Sequence, residues 1–170
     1  DVYKRQVLEA ISKNQKSLIR DLLQARKDEF VFKAYEHKGC FFKIDSLEAY
    51  YKANLALLDT KTRNNVFNSG APIYTKVGDN APVKYGLESS VKNSLVADGC
   101  MIEGTVENCV LFRGVKIAKG AVVRNCVLMQ GTEIGEGCNI DAIVADKNVT
   151  ISANRVLTGS PEYPLYPVSY

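Results

Sequence analysis

Val106-Glu107-Asn108-Cys109-Val110-Leu111 and Val123-Arg124-Asn125-Cys126-Val127-Leu128 are two copies of one sequence motif, and this motif determines the fold of half the chain. The same pattern occurs in Val91-Lys92-Asn93-Ser94-Leu95-Val96 and, less clearly, in Ile140-Asp141-Ala142-Ile143-Val144-Ala145. The last two intervals between copies are equal, and the first is slightly shorter. A fixed period of this kind is typical of a solenoid, in which one supersecondary unit stacks on copies of itself.

The residues between the copies keep the same register. Ile117, Ile134 and Ile151 recur at the interval that separates the two clearest copies, and so do Gly114 and Gly131. Glycine and asparagine accept the positive φ of tight corners, whereas a helix would not place glycines and β-branched residues in this way. Three short strands per turn, stacked at the ~4.8 Å spacing of β-strands, would instead direct the aliphatic side chains into a common core. The pattern therefore predicts a left-handed parallel β-helix of the hexapeptide type.

Stacked coils bring equivalent residues of neighbouring turns together. We expect Cys109 and Cys126 to share one column of small side chains, and Asn108 and Asn125 to form an amide ladder. The fold class is thus mainly β. This architecture indicates no reaction by itself, since such solenoids serve many functions.

Composition excludes several functional classes. The 170 residues carry a net charge of +3 with scattered lysines and arginines, so no nucleic-acid surface is indicated. Five cysteines without CxxC spacing and a single histidine argue against a zinc site and favour buried thiols in a reducing cytoplasm. No run approaches the ~18 apolar residues of a membrane span, and no signal peptide is recognisable. The chain does not begin with Met, and we expect it to be a piece of a longer protein.

The residues before the repeats predict a small α+β body. Apolar residues at helical spacing indicate a first helix around 18–23. Residues 30–35 and 40–44 are rich in aromatic and β-branched side chains and predict a hairpin that turns at Lys38-Gly39.

A second helix follows the predicted hairpin. Asp45 or Ser46 is the expected cap, and Glu48 stands where a capping box would place an acid. The apolar stripe expected to face the core comprises Leu47, Tyr50, Tyr51, Leu55 and Leu58.

Two further segments flank the repeats. Residues 59–82, rich in Asn, Thr, Gly and Lys, predict a linker in which 73–77 could pair as a strand. The proline- and tyrosine-rich tail, 159–170, could cover the last coil or reach a partner chain, and we favour covering because an open solenoid end exposes strand edges.

The chemistry of common hexapeptide enzymes is missing from the repeats. Acyltransferases of this class use a histidine between coils as general base, but the only histidine, His37, lies outside the repeats. Neither a Walker A loop nor GxGxxG occurs, and a Ser-His-Asp or Cys-His arrangement is not indicated. We therefore predict no complete active site.

Two stretches resemble the ADP-glucose pyrophosphorylase (glucose-1-phosphate adenylyltransferase) family. Tyr35-Glu36-His37-Lys38-Gly39, followed by Glu48-Ala49-Tyr50-Tyr51-Lys52-Ala53-Asn54, is similar to the end of its nucleotidyltransferase domain. Val106-Glu107-Asn108-Cys109-Val110-Leu111-Phe112-Arg113-Gly114-Val115 and Val127-Leu128-Met129-Gln130-Gly131-Thr132 are similar to its β-helix. The family makes ADP-glucose from ATP and glucose 1-phosphate in bacterial glycogen synthesis. The resemblance implies four segments, namely a transferase-domain remnant (1–58), a linker (59–82), a β-helix (83–158) and a tail (159–170).

The resemblance also implies lost catalysis. Catalytic members have Gly-Tyr-Trp-Arg-Asp-Val-Gly-Thr in the hairpin, with the Trp beside the sugar and the Asp on the catalytic Mg²⁺. Here Phe41 stands at the Trp position and Lys43 at the Asp position. An ammonium group offers no lone pair to Mg²⁺ and repels it, so we expect no catalytic residue, no metal site and no cofactor in this chain. A register shift of two positions would make Asp45 the ligand instead, although the flanking Gly39 and Glu48 favour the first alignment.

Some members of the family are degenerate and regulatory, and these members, the GlgD type, carry such changes. The sequence of residues 43–54 resembles theirs. The resemblance implies a catalytic pyrophosphorylase subunit as partner in a hetero- or homo-oligomer, and control by a sugar-phosphate effector. The basic residues best placed for an anionic effector are Arg113, Lys116, Lys119 and Arg124. Solvated corner positions are the simpler interpretation of the same residues.

The sequence thus predicts the C-terminal part of a cytoplasmic, non-catalytic regulatory subunit that acts through assembly and allosteric control and is inactive alone. One alternative is the same part of a catalytic subunit. The other is a hexapeptide acyltransferase or structural oligomerisation module.

Overall fold

The computed structural model describes residues 8, 12, 13, 17, 20, 24, 27, 28, 31–68, 70, 72–75 and 78–168. The chain divides into two units, Asp1–Lys38 and Gly39–Tyr170. Most of the helix predicted around 18–23 lies outside the described residues. The second helix, which the sequence assigns to a remnant ending at 58, belongs to the second unit together with the coils.

The predicted hairpin is wrong for the described residues. In the first unit, 31–38 are irregular and exposed, and in the second unit 39–44 are irregular as well. Val31 is 88% exposed and Phe41 is 80% exposed, so burial of these two side chains does little to stabilise a strand ladder. A two-stranded hairpin without a third strand or a packed helix is only marginally stable, which explains why strand propensity does not decide here.

Helix α1 (Leu47–Ala56) forms as predicted, with Ser46 rather than Asp45 as its N-cap. The Ser46 hydroxyl accepts a hydrogen bond from the Ala49 amide at 3.0 Å. Glu48 therefore lies one position too early for a capping box and instead pairs with Lys52, one turn along the helix. The helix presents its predicted apolar stripe to the coils.

A second short helix, α2 (Thr60–Val66), lies within the predicted linker. Its N-cap is Asp59, whose carboxylate accepts from the Thr62 amide at 2.8 Å and so satisfies a free donor of the first turn. The strand predicted at 73–77 is not formed at 73–75, and the last two positions lie outside the described residues.

Fourteen short strands follow in the described residues. They are β1 Lys84–Tyr85, β2 Ser90–Lys92, β3 Leu95–Val96, β4 Met101–Ile102, β5 Thr105–Glu107, β6 Val110–Leu111, β7 Lys116–Ile117, β8 Val122–Arg124, β9 Val127–Leu128, β10 Glu133–Ile134, β11 Asn139–Asp141, β12 Val144–Ala145, β13 Thr150–Ile151 and β14 Val156–Thr158.

The strands form three parallel sheets that make the three faces of a solenoid. Sheet A has the order β1-β4-β7-β10-β13, sheet B β14-β11-β8-β5-β2, and sheet C β12-β9-β6-β3. The register follows the sequence repeat, because Val91 pairs with Val106, Val106 with Val123, and Val123 with Ile140. The hexapeptide-type parallel β-helix is therefore confirmed.

The centre of the β-helix is dry and aliphatic. Val106 and Val123 are fully buried, Ile117 and Ile134 are at most 2% exposed, and Leu128 is fully buried. Asparagines and glycines take the positive φ at the corners, as the sequence predicts, for instance 53° at Asn108 and 50° at Asn125. The burial of these apolar side chains, stacked in register from coil to coil, stabilises the β-helix.

The shorter first interval of the repeat has a structural cause. The corner from sheet A to sheet B on the second coil is two positions shorter than the same corner on the other coils, and Gly104 lies in it. A Cβ atom at Gly104 would lie 2.4 Å from the carbonyl oxygen of Ala121. This shortened corner leaves a gap that Lys119 and Glu88 bridge, with 3.1 Å between Nζ and Oε2.

The C-terminal segment, defined here as residues 159–168, covers the last coil. Leu165 forms a parallel bridge with Ile143, and the Val144 amide donates to the Leu165 carbonyl at 2.9 Å. Pro164, the residue before Leu165, is buried. Because β12 is an edge strand of sheet C, this pairing satisfies backbone groups that would otherwise be open, and the covering role predicted for the tail is confirmed.

Candidate functional site

Helix α1 lies across the outer surface of sheet C and forms a seam with it. The strand residues in this seam point away from the solenoid interior. The apolar side chains that pack there are Leu47, Tyr50, Tyr51, Leu55 and Leu58 from the helix side and Leu95, Val110, Val127, Ala142 and Val144 from the coils. The solenoid therefore has an inner core and a second, outer core on one face.

Tyr51 is the central contact of the seam. Its side chain is 2% exposed, and its hydroxyl donates to the main-chain carbonyl of Asn125 at 2.7 Å. Burial raises the pKa of Tyr51 to about 12, and the nearby Cys126 and Asp141 act in the same direction. The tyrosine is thus a neutral anchor at ordinary pH.

A polar ladder runs along the corner between sheets B and C, beside α1. The Asn93 amide donates to Asn108 at 2.7 Å, Asn108 to Asn125 at 3.4 Å, and Asn125 to Asp141 at 2.8 Å. The predicted asparagine ladder is confirmed and extends one rung in each direction. At the Asp141 end of the ladder, a depression of about 510 Å³ is bordered by Lys52, Asp141 and the start of the C-terminal segment.

The two stacked thiols lie inside the solenoid, as predicted. Cys109 and Cys126 are both fully buried, and the Cys126 amide donates to the Cys109 sulfur at 3.4 Å. A hydrogen bond from Cys126 lowers the pKa of Cys109, whereas burial raises the pKa of Cys126 well above its ordinary value. Both sulfurs also lie near main-chain carbonyls, so their role here is to fill and satisfy the core.

The positions that the resemblance assigns to the sugar and the metal lie in the irregular stretch before α1. Phe41 is 80% exposed, and the Lys43 ammonium pairs with Asp45 at 2.6 Å. Asp45 is the residue that an alternative register would make the metal ligand, and here its carboxylate forms an ion pair with Lys43. The described part of the chain contains no group of three His, Cys, Asp or Glu side chains that could hold a metal ion.

The four basic residues proposed for an effector lie on different surfaces. Lys116 is on sheet A, Arg124 on sheet B, and Arg113 and Lys119 are at two different corners. Each lies close to an acid of another coil. The paired atoms are Arg113 Nε with Asp98 Oδ1 at 3.1 Å, Lys116 Nζ with Glu133 Oε1 at 2.7 Å, Lys119 Nζ with Glu88 Oε2 at 3.1 Å, and Arg124 Nε with Glu107 Oε2 at 3.9 Å. The structure does not gather them into one site, and their effector role stays a prediction.

Two contacts of the folded chain, one of Asn80 and one of Tyr51, were not predicted from the sequence. Asn80 donates to the Asp98 carboxylate at 2.6 Å and, with Arg113, lowers the pKa of that carboxyl. The pairing fixes the segment before β1 to the first coil. Neither this contact nor the Tyr51 hydroxyl bond follows from a local pattern, because each joins residues brought together only by folding.

No helix in the described part of the chain is both long and apolar enough to cross a membrane.

Comparison with known proteins agrees with this architecture. Residues 81–162 match the family described as GlmU-like, C-terminal hexapeptide. The glycogen biosynthesis protein GlgD of Bacillus subtilis (strain 168) is 46% identical over 147 residues, which are 86% of this chain and 43% of that protein. GlgD of Geobacillus stearothermophilus is 58% identical over 71 residues, 42% of this chain and 21% of that protein. The glucose-1-phosphate adenylyltransferase of the same organism is 40% identical over 109 residues, 64% of this chain and 27% of that enzyme.

The chain spans less than half the length of these relatives. An alignment over 147 residues cannot be confined to the hexapeptide match at 81–162, so the likeness to the Bacillus protein also includes residues outside the solenoid. GlgD and glucose-1-phosphate adenylyltransferase proteins are close homologues of this chain, and most of its solenoid matches the GlmU-like hexapeptide family.

Proposed function

We propose that this chain is the C-terminal part of a non-catalytic, regulatory subunit of glucose-1-phosphate adenylyltransferase that acts in glycogen biosynthesis. The observation that carries the proposal is the 46% identity to a glycogen biosynthesis protein across 86% of the chain. The match to an adenylyltransferase of 40% identity covers less of the chain, 64%.

Charge at the family's metal position supports the non-catalytic role. An ammonium group at Lys43, paired with Asp45 at 2.6 Å, places a cation where nucleotidyl transfer needs a carboxylate to hold Mg²⁺. We therefore propose that this chain itself uses no cofactor, and that Mg²⁺ acts in its catalytic partner.

The architecture supports a role in assembly. We take the β-helix to act as a rigid body, since its inner side chains form one continuous core and the β12 edge of sheet C is covered by the C-terminal segment. A rigid body can transmit a change at one end to a subunit bound at the other, because packed cores shift as units. We propose that the partner is a catalytic adenylyltransferase subunit in the cytoplasm, and that a sugar phosphate modulates the complex.

The test is a reconstitution with the cognate catalytic subunit. The purified chain is mixed with that subunit, and ADP-glucose formation is measured over a range of ratios, with and without fructose 1,6-bisphosphate as a sugar-phosphate probe. We expect binding in sedimentation and a change in activity or in the response to the probe. A control with an unrelated hexapeptide β-helix protein at equal concentration should leave the kinetics unchanged. Kinetics that do not change despite excess chain would refute the regulatory proposal.

The alternative functions give different results. If the chain is the C-terminal part of a catalytic subunit, a protein that joins it to the N-terminal part of a catalytic adenylyltransferase should form ADP-glucose from ATP and glucose 1-phosphate, which the regulatory proposal forbids. If it is a structural module, it should associate without altering the catalytic subunit's kinetics. An acyltransferase would need a coil histidine as base, and the only histidine, His37, precedes the coils.

A further inference from the structure

The outer surface of sheet B carries one column of alternating charges. Lys92, Glu107, Arg124 and Asp141 occupy the same strand position on four successive coils, in register with one another. Sheet A differs, because its corresponding outward column, Lys84, Met101, Lys116, Glu133 and Thr150, does not alternate. The alternation on sheet B is therefore a property of that face and not of the repeat.

This column is complementary to its own reverse. A second copy of the face, turned about a two-fold axis that runs parallel to the strands and between Glu107 and Arg124, presents the four charges in the opposite order. Lys92 then faces Asp141 of the second copy, and Glu107 faces Arg124 of the second copy. All four rungs meet an opposite charge, which is the condition for an isologous contact.

The neighbouring column allows two such faces to approach. Ser90, Thr105, Val122 and Asn139 stand beside the charged positions, and all four are short. With the same axis, Thr105 lies over Val122 of the second copy and Ser90 over Asn139 of the second copy. Short side chains in this column leave the longer charged ones free to meet.

The charged groups retain capacity for a second partner. Arg124 Nε and Glu107 Oε2 lie 3.9 Å apart within one chain, and both side chains are 44% exposed. A guanidinium has five N–H donors, so one long contact leaves most of them available.

We propose that the outer face of sheet B is a self-complementary docking surface whose partner is a second copy of this chain, related by that two-fold axis. The proposal stands independently of the proposed function, because it concerns this chain alone.

The surface is small, which determines how the association must be measured. Four rungs at the strand spacing span about 14 Å, so the contact falls below the ~1,200 Å² of a standard interface. We expect a weak dimer, detectable by sedimentation equilibrium at about 100 μM protein and weakened by salt, because exposed charges are screened.

Charge reversal with mixing tests the proposal. Glu107→Arg and Arg124→Glu each place like charges opposite one another twice in a homodimer, and we expect the association constant of each to fall about tenfold or more. An equimolar mixture of the two variants should associate again, because Arg at 107 of one chain then faces Glu at 124 of the other. In the mixture, each chain still carries like charges at positions 107 and 124. A restored association constant can therefore come only from opposite charges that meet between the two chains.

Two further proteins keep the test decisive. The double variant Glu107→Arg/Arg124→Glu again has opposite charges at positions 107 and 124, both within one chain and between the two copies, and should dimerise like the native chain. Circular dichroism verifies that every variant is folded. The matched control is Glu133→Lys, which breaks a similar cross-coil pair on sheet A and should leave dimerisation unchanged. A native chain that stays monomeric, single variants that still dimerise, or a mixture that stays monomeric would each overturn the proposal.

Discussion

Tyr51 fastens helix α1 to sheet C, and its removal should measure how much the outer core contributes to stability. Tyr51→Phe keeps the buried ring but removes the hydroxyl that donates to the Asn125 carbonyl at 2.7 Å. We expect a loss of about 1 kcal/mol in the free energy of unfolding, rising toward ~2–3 kcal/mol if the carbonyl finds no other donor. Tyr51→Ala also leaves a cavity in the seam and should cost about 3–5 kcal/mol.

The same residue should make the protein sensitive to alkali. Burial raises the pKa of Tyr51 from 10.0 to about 12, so above pH 10.0 the folded protein keeps a proton that the unfolded chain releases. The contribution of Tyr51 to the free energy of unfolding is therefore fully present below the unfolded pKa, and it is lost as the pH rises through the folded pKa. Because one pKa unit corresponds to about 1.4 kcal/mol, the shift of about two units should cost on the order of 3 kcal/mol by the end of that window.

The assay is urea unfolding at about pH 8 and about pH 11, followed by circular dichroism. The native chain should lose more stability between the two pH values than Tyr51→Phe, which has no group to titrate. Tyr163→Phe is the control, since Tyr163 is 83% exposed and its loss should change nothing. Amide hydrogen exchange of residues 47–56 shows whether α1 detaches alone. Equal pH dependence of the native chain and Tyr51→Phe, with less than ~0.3 kcal/mol between them at the lower pH, would refute this reasoning.

Two other predictions concern the coils. Gly104→Ala places a Cβ atom 2.4 Å from the Ala121 carbonyl oxygen, so it should lower stability by ~3 kcal/mol or more, whereas Gly114→Ala, with no atom within 4 Å but a φ of 68°, should cost only about 1 kcal/mol. Thermal unfolding compares the two, and equal losses would show that the corner is not tightly packed. Deleting the C-terminal segment should lower the melting temperature and promote aggregation, because the Val144 amide loses the Leu165 carbonyl and an edge opens. Unchanged melting and light scattering would show that the cover is dispensable.

The solenoid was readable from the sequence because its information is local and repeated. Each coil places a β-branched or aliphatic residue such as Val106 or Val123 inward and a residue such as Asn125 at a corner, and the next coil repeats the choice. In-register stacking follows directly, since any slip would expose the aliphatic positions. Local propensity failed at residues 31–44, where strand-forming side chains such as Val31 and Phe41 stay largely exposed.

The candidate site was less predictable, since it depends on which faces meet. Arg113, Lys116, Lys119 and Arg124 were the basic residues best placed for an anionic effector, yet three strands and three corners make up each coil and spread these residues over separate faces. Each then lies beside an acid that belongs to another coil and is distant in the chain.

The sequence by itself determined the β-helix, its register and the resemblance to one family, because the periodic burial and the specific motif lie in consecutive residues. Only the tertiary structure decided that α1 covers sheet C through Tyr51, that the C-terminal segment pairs with β12, and that sheet B carries a charge column complementary to its own reverse. The physical reason is that the repeat specifies the contacts between neighbouring coils. Which outer face is covered depends instead on packing against segments that are distant in the chain.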